Sequence, residues 1–83
     1  MTAEPPDVLT PDMVERLRAD GPTAEALKWV AYLYRFALVF GEPPLATVER
    51  MLQLPRSTAG RWVALARQRG FLGEAEGSGK AVG

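Results

Sequence analysis

Apolar residues recur with a helical period in four segments of this 83-residue chain, and Gly or Pro separates each segment from the next. The spacing predicts helices over residues 11–20, 24–40 and 44–53, and from residue 55 or 56 to residue 69. No alternation of apolar and polar residues typical of a strand occurs, and no internal repeat is visible. The pattern therefore predicts an all-α fold, a small bundle of about four helices around one modest core.

The starts of the first two helices are marked by residues that favour helix ends. Thr10 precedes Pro11, which suits the first helical position because an N–H there has no helical acceptor. Leu9 and Val14 are spaced to form a hydrophobic staple across that start. Thr23 has the position of an N-cap for the second helix.

The second predicted helix is apolar around most of its circumference. Its polar side chains follow one narrow stripe, which contains Glu25, Lys28, Tyr32 and Arg35. A helix of this kind is buried on more than one side, so we expect it to be the central core helix. Part of its surface is also a candidate contact between two copies of the chain. The candidate dimer-contact residues are Trp29, Leu33, Phe36 and Phe40.

Residues 44–72 have the layout of a helix-turn-helix, two short helices joined by a turn from Gln53 to Pro55. A rotation of about 100° per residue places four apolar side chains on one face of the second of these helices. They are Ala59, Trp62, Val63 and Ala66. The side chains expected to meet them from the other side are Val48, Leu52 and Leu54. A tri-helical helix-turn-helix inside the bundle is therefore predicted.

The opposite face of that helix has the chemistry of a major-groove contact. Small side chains let a helix approach the base edges, and an arginine can donate two hydrogen bonds to a guanine. The candidate base-contacting residues are Arg56, Ser57, Gly60 and Arg61. Phosphate contacts position a protein without selecting a sequence, and the candidates for that role are Arg50, Thr58, Arg67 and Arg69. The alternative is that this arginine-lined face is simply a solvated surface.

The total charge hides an asymmetry between the two parts of the chain. Ten basic and ten acidic residues give a formal charge of zero. Residues 1–42 hold seven acids and four bases, a net charge of −3, whereas residues 43–83 hold three acids and six bases, a net charge of +3. Between Arg50 and Leu72 there are five arginines and no acid. This asymmetry favours a nucleic-acid contact more than the total charge does.

The chain contains neither Cys nor His. Disulfides, Cys or His metal sites, and nucleophilic triads or dyads built on His or Cys are therefore excluded. No buried carboxylate pair can be argued from the pattern, so we expect no catalysis, no cofactor and no small-molecule substrate. No basic and apolar leader and no apolar run of ~18 residues occurs, which predicts a soluble, cytoplasmic protein without a membrane partner.

The segment LPRSTAGRWVALARQRGFLG resembles the helix-turn-helix of a family of small DNA-binding domains common in high-GC bacteria and their phages. The preceding VAYLYRFALVFGEPPLATV is similar to the helix and Pro-rich linker that lead into it there. The likeness covers roughly Lys28–Gly83, and its most specific parts are RSTAGRW and ARQRGFL. It implies a tri-helical DNA-binding fold in which Arg56, Ser57, Thr58 and Arg61 face DNA.

Three positions depart from that family's pattern. Glu49 stands where Ala is preferred, Gln53 where the turn prefers Gly, and Pro55 where Ser usually caps the next helix. A Glu at position 49 is expected to hinder close packing of the two helices, and its charge would lie near bound phosphates if exposed. Pro55 leaves the last helix to begin without a side-chain cap.

These observations predict an acidic N-terminal segment with a short helix (residues 1–23), a helix-turn-helix domain (24–72), and a flexible Gly-rich tail or vestigial wing (73–83). The expected function is sequence-specific binding of double-stranded DNA, as a transcriptional regulator or an accessory factor of a phage or mobile element. Because one small module binds DNA weakly, a homodimer is expected to supply a second half-site. The alternative is a protein-interaction module that reuses the fold, such as an anti-repressor or an inhibitor of a host system.

Overall fold

A computed structural model describes residues 9–73, and every regular element within them is a helix. The helices are α1 (Pro11–Asp20), α2 (Ala24–Val39), α3 (Pro44–Leu52) and α4 (Arg56–Gln68). The predicted all-helical bundle is confirmed, and each helix ends within one residue of the predicted position. The expected tail or wing lies outside the described residues except for Gly73, as do the first eight residues of the acidic segment.

The first two helices begin at threonine caps. The Thr10 hydroxyl accepts a hydrogen bond from the backbone N–H of Met13 over 3.2 Å, and the Thr23 hydroxyl accepts one from the N–H of Ala26 over 3.1 Å. Each bond satisfies one of the N–H groups that lack a helical acceptor at a helix start. Both predicted caps are confirmed.

α4 ends in a Schellman motif around Gly70, which has φ +84°. The N–H of Phe71 donates to the carbonyl of Ala66 over 2.9 Å, and the N–H of Gly70 donates to the carbonyl of Arg67 over 3.1 Å. Glycine suits this left-handed position because it has no Cβ. The motif turns the chain so that Leu72 packs into the core.

The turn between α3 and α4 also requires a left-handed residue, and Gln53 supplies it with φ 52° and ψ 49°. The N–H groups of Gln53 and Leu54 both donate to the carbonyl of Glu49, over 3.0 Å in the case of Leu54. These bonds close α3 and direct Leu54 into the core. Within residues 9–73, Gln53 is the one non-glycine residue with a positive φ, so backbone strain is concentrated in this turn.

A Gln53→Gly variant is expected to be more stable by about 1 kcal/mol, because glycine adopts the left-handed conformation without the steric cost of a Cβ. The Gln53 side chain is exposed, so its removal sacrifices no core packing. Thermal unfolding should show a midpoint higher by roughly 4–8 °C. Gln68→Gly, in the last turn of α4, is the matched control and should lower the midpoint. An unchanged midpoint for Gln53→Gly would show that the turn is not strained.

α2 lies at the centre of the bundle and packs against each of the other three helices. α3 and α4 pack against each other, whereas α1 approaches α2 and α3 but, among residues 9–73, has no close approach to α4. The core combines large and small side chains from all four helices, including Leu17, Leu27, Val30, Val48, Leu52, Ala59, Trp62 and Ala66. The prediction that the apolar second helix is the central one is confirmed.

Hydrogen bonds from arginine side chains connect α2 to α1 and to the segment after α4. The Arg16 guanidinium on α1 donates to both carboxylate oxygens of Glu25, over 3.0 and 3.1 Å. These hydrogen bonds to Arg16 lower the pKa of Glu25. Near the other end of α2, Arg35 donates to the carbonyl of Phe71 over 2.8 Å. α1 and the segment after α4 are thus both held against α2.

Candidate nucleic-acid interface

α4 has one face in the core and the opposite face in solvent. Its buried residues are Ala59, Trp62, Val63 and Ala66, the four that helical spacing predicted. Its exposed residues include Ser57, Arg61, Ala64 and Gln68. Thr58 and Gly60 are partly exposed beside them. α4 therefore presents a face of small side chains from which one long cation, Arg61, projects.

The start of α4 has neither a side-chain cap nor an acid in its own first turn. Pro55 occupies the N-cap position and forms no side-chain hydrogen bond with the helix, and the first turn contains no acid. The N–H of Ala59 donates to the Pro55 carbonyl over 2.9 Å, so the N–H groups of residues 56–58 precede the first helical bond and have no helical acceptor. These N–H groups and the positive end of the helix dipole favour a phosphate oxygen.

Glu49 lies on α3 next to the start of α4. One of its carboxylate oxygens is 3.8 Å from Nε of Arg56, and that oxygen is buried and accepts no hydrogen bond from residues 9–73. Ala59 and Ala66 are nonetheless fully buried where α4 packs on the bundle. The expectation that Glu49 hinders packing is therefore wrong, because its partly exposed side chain reaches Arg56 at the helix edge.

Folding also brings Arg50 close to an acid, Glu42, although the segment from Arg50 to Leu72 contains no acid. Glu42 Oε1 is 3.8 Å from Nη2 of Arg50. Arg50 and Arg56 nevertheless keep most of their side chains exposed, so their ion pairs are weak in water. The side chains of Arg61 and Arg69 are exposed, and their guanidinium groups form no hydrogen bond or ion pair with the residues that the structure describes.

Arg67 differs from the other arginines of this region because it packs against the core. Its Nη2 donates to the hydroxyl of Tyr34 on α2 over 3.3 Å, and its guanidinium carbon lies 5.3 Å from the centre of the Tyr34 ring. This geometry fits a cation–π contact. Arg67 therefore takes part in the contact between α4 and α2, and its expected phosphate contact stays a prediction.

The candidate dimer-contact residues on α2 differ in how far they are exposed. Leu33 is buried in the core, so its assignment to an external contact is wrong. Trp29 is half-buried at the edge of the core and its ring meets Tyr32 edge-on at 5.6 Å. Phe36 and Phe40 are 43% and 64% exposed, and their ring centroids are 4.7 Å apart.

Two further side chains belong with these exposed aromatics. Tyr32, a member of the predicted polar stripe, and Val39 are both exposed. The spacing of Tyr32, Phe36 and Phe40, four residues apart, was the signal that could have identified them as one strip. We use the name α2 surface for the set Trp29, Tyr32, Phe36, Val39 and Phe40.

Comparison with known proteins finds no match to this chain among protein families, curated proteins or solved structures. Within residues 9–73, no helix combines the length and apolar character needed to cross a membrane. In the same part of the chain, no three acidic side chains are grouped as a metal site would require. The exposed face of α4 and the α2 surface are thus the features on which a functional proposal can be built.

Proposed function

We propose that this protein binds double-stranded DNA sequence-specifically, with α4 in the major groove, and acts as a transcriptional regulator or an accessory factor of a phage or mobile element. The observation that carries the proposal is the exposed face of α4, on which Arg61 has no partner within residues 9–73 and is surrounded by small side chains. Such a face lets the helix approach the base edges while Arg61 donates to a guanine.

The groups around this face are suited to the DNA backbone. The N–H groups of residues 56–58 and the exposed hydroxyl of Ser57 offer donors to a phosphate. Arg50 and Arg69 supply exposed cations near the ends of α3 and α4, and so does Arg56, which we assign here to a phosphate and no longer to a base. Contacts of this kind fix the position of α4 on the duplex, and leave the choice of sequence to the side chains at the centre of its exposed face.

A titration of binding against salt tests this proposal. Three exposed arginines at phosphates predict a log–log slope of the binding constant against salt concentration of about −3. Fluorescence anisotropy with genomic fragments measures the slope, and selection of bound fragments from a genomic library then identifies the preferred sequence. Salt-independent binding, or no binding at low salt, would refute DNA binding through this face.

The homodimer is part of the same proposal. One module of this size buries roughly 600–1,000 Å² on DNA, which rarely gives tight binding by itself. The exposed aromatic rings of the α2 surface favour self-association. Light scattering coupled to size exclusion measures the mass, and a monomer at high protein concentration would contradict the dimer.

A protein-interaction module is the second candidate function, favoured by the α2 surface and by the formal charge of zero. In this case the fold binds a partner protein, as an anti-repressor or an inhibitor of a host system does, and α4 is a solvated face. A strictly monomeric protein that binds no duplex in the library selection would favour this alternative.

A Gly60→Ala variant is expected to fold more stably and to bind DNA more weakly. Gly60 lies inside α4, and apart from its chain neighbours and the backbone of α4 no atom lies within 4 Å of the position that a Cβ would occupy. Alanine therefore stabilises the helix by roughly 0.5–1 kcal/mol, while its methyl group stands between α4 and the bases. Thermal unfolding and anisotropy measure the two effects separately.

Ala64→Gly is the matched reverse change, because Ala64 is exposed on the same face of α4. It should lower the unfolding midpoint without weakening DNA binding at temperatures where the domain is folded. If Gly60→Ala binds DNA as tightly as the wild type, α4 does not approach the bases closely at this position.

A Glu49→Gln variant is expected to bind DNA about two- to fivefold more tightly, because it releases Arg56 from an ion pair worth up to about 1 kcal/mol. Glutamine keeps the shape of the side chain, so the packing of α3 on α4 is retained. Glu15→Gln, an equal change of charge on an exposed position of α1, is the control and should alter binding less. Weaker binding by Glu49→Gln would instead indicate that Glu49 orients Arg56 toward DNA.

A further inference from the structure

Tyr34 of α2 restrains the side chain of Arg67 on α4. The Nη2 group of Arg67 donates to the Tyr34 hydroxyl over 3.3 Å, and the guanidinium carbon lies over the ring, 5.3 Å from its centre. Tyr34 is 8% exposed and belongs to the core, so the neighbouring side chains fix its ring in place. The guanidinium is therefore held at two points, by the hydroxyl and by the face of the ring.

Arg67 borders the exposed face of α4. At about 100° per residue, its position lies about 40° from that of the buried Val63 and about 60° from that of the exposed Ala64. Its side chain is accordingly partly exposed. Arg56, at the start of the same helix, lies within about 20° of the same line along α4. The two cations are thus on one side of the exposed face, where a helix in the major groove passes a phosphate backbone.

The partners of these two arginines differ in charge. A carboxylate oxygen of Glu49 lies 3.8 Å from Nε of Arg56, and an acid at this distance competes with a phosphate for the cation. A phenol carries no charge at neutral pH, so it neither neutralises an arginine nor repels a phosphate. Tyr34 therefore orders Arg67 without weakening its attraction for an anion.

We propose that Arg67 contacts a DNA phosphate and that Tyr34 is the positioning residue for this contact. The inference rests on the proposed function. A guanidinium has five N–H donors in one plane, and the bond to Tyr34 engages Nη2. Because Tyr34 restrains the side chain before DNA binds, less conformational entropy is lost on binding. This fourth phosphate contact makes the expected salt slope steeper by about 1 than that of the three exposed arginines.

Nuclear magnetic resonance relaxation of the arginine Nε–H groups tests the restraint without DNA. In the wild type, the order parameter of Arg67 should approach the value of about 0.85 typical of rigid backbone, whereas that of the exposed Arg61 should fall below about 0.6. Tyr34→Phe should lower the value for Arg67 and leave Arg61 unchanged. A wild-type Arg67 as mobile as Arg61 would overturn the positioning role of Tyr34, whether or not the protein binds DNA.

Fluorescence anisotropy with duplexes from the genomic selection tests the phosphate contact. Tyr34→Phe keeps the ring and removes the hydroxyl, so binding should weaken about two- to tenfold while the salt slope stays unchanged. Arg67→Ala should weaken binding further and make the slope shallower by about 1. Both variants should weaken all sequences alike, because a phosphate contact carries no sequence information.

Tyr32→Phe is the matched control, since it removes the same hydroxyl from a tyrosine of α2 that is 51% exposed. Its affinity for DNA should equal that of the wild type. Tyr34→Phe combined with Arg67→Ala should bind within about twofold of Arg67→Ala alone, because the hydroxyl acts through Arg67. Thermal unfolding of each variant identifies a temperature at which all of them are folded.

The outcomes separate this inference from the proposed function. If the wild type binds duplex and Arg67→Ala keeps the wild-type salt slope, Arg67 meets no phosphate and Tyr34 is only its packing partner. Additive losses in the double variant would show that Tyr34 does not act through Arg67. If the wild type binds no duplex at all, DNA binding is refuted and the phosphate contact with it.

Discussion

An Arg61→Ala variant is expected to lose roughly 10- to 100-fold in affinity for its preferred sequence, because a bidentate arginine–guanine pair is worth about 1–3 kcal/mol. Binding to unrelated DNA should change little. The Arg61 side chain forms no hydrogen bond or ion pair with residues 9–73, so its truncation to alanine removes no polar contact within that part of the chain. The free energy of unfolding should therefore stay within about 0.5 kcal/mol of the wild-type value.

Arg69→Ala is the matched control for this prediction. Arg69 is also exposed and follows the last residue of α4, where a phosphate contact is expected. Its loss should weaken all sequences alike and make the salt slope shallower by about 1. Competition among duplexes that differ at one base pair measures both variants. Equal and uniform losses would show that Arg61 contacts the DNA backbone and no base.

A Trp62→Ala variant is expected to be largely unfolded at room temperature. Trp62 is only 3% exposed and belongs to the core shared by the four helices. Removing a large buried aromatic side chain costs roughly 3–5 kcal/mol, and a core of this size rarely supplies more than about 3–5 kcal/mol of net stability. Far-ultraviolet circular dichroism and urea unfolding measure the loss of helix.

Trp29→Ala is the control for Trp62→Ala, because it makes the same change at a half-buried position on the edge of the core. This variant should remain folded. If Trp62→Ala kept its helix content and lost only DNA binding, the indole would be a DNA contact and not a core residue.

The helices and their faces could be predicted from the sequence because the signals are local. The hydroxyls of Thr10 and Thr23 act within three residues of their own positions. The buried face of α4 follows from helical spacing once the helix is recognised. The left-handed turn at Gln53 has no such local signal, because glutamine does not favour that conformation, and only the family resemblance prefers a glycine there.

The exposure of the α2 aromatics could not be predicted in the same way. Leu33 and Phe40 are seven residues apart and therefore lie along nearly the same line of α2, yet Leu33 is 3% exposed and Phe40 64%. The difference depends on which other helices cover each level of α2. That coverage is set by packing between distant segments, and no pattern within α2 encodes it.

The charged side chains show the same contrast between what the local sequence contains and what folding brings together. The run of five arginines without an acid is a property of the sequence between Arg50 and Leu72. The ion pairs at Arg50 and Arg56, and the contact of Arg67 with Tyr34, arise from folding. The number of arginine side chains without an internal partner is therefore a property of the fold.

The sequence by itself determined four helices, the core face of α4 and the absence of Cys and His chemistry, because periodicity, capping and composition act over a few residues. The tertiary structure alone decided that Leu33 is core, that Phe36 and Phe40 form an external strip, and that Arg61 is unpaired within residues 9–73 while Arg67 is not. These outcomes depend on contacts between residues far apart in the chain, which only the packing of α2 against the other helices establishes.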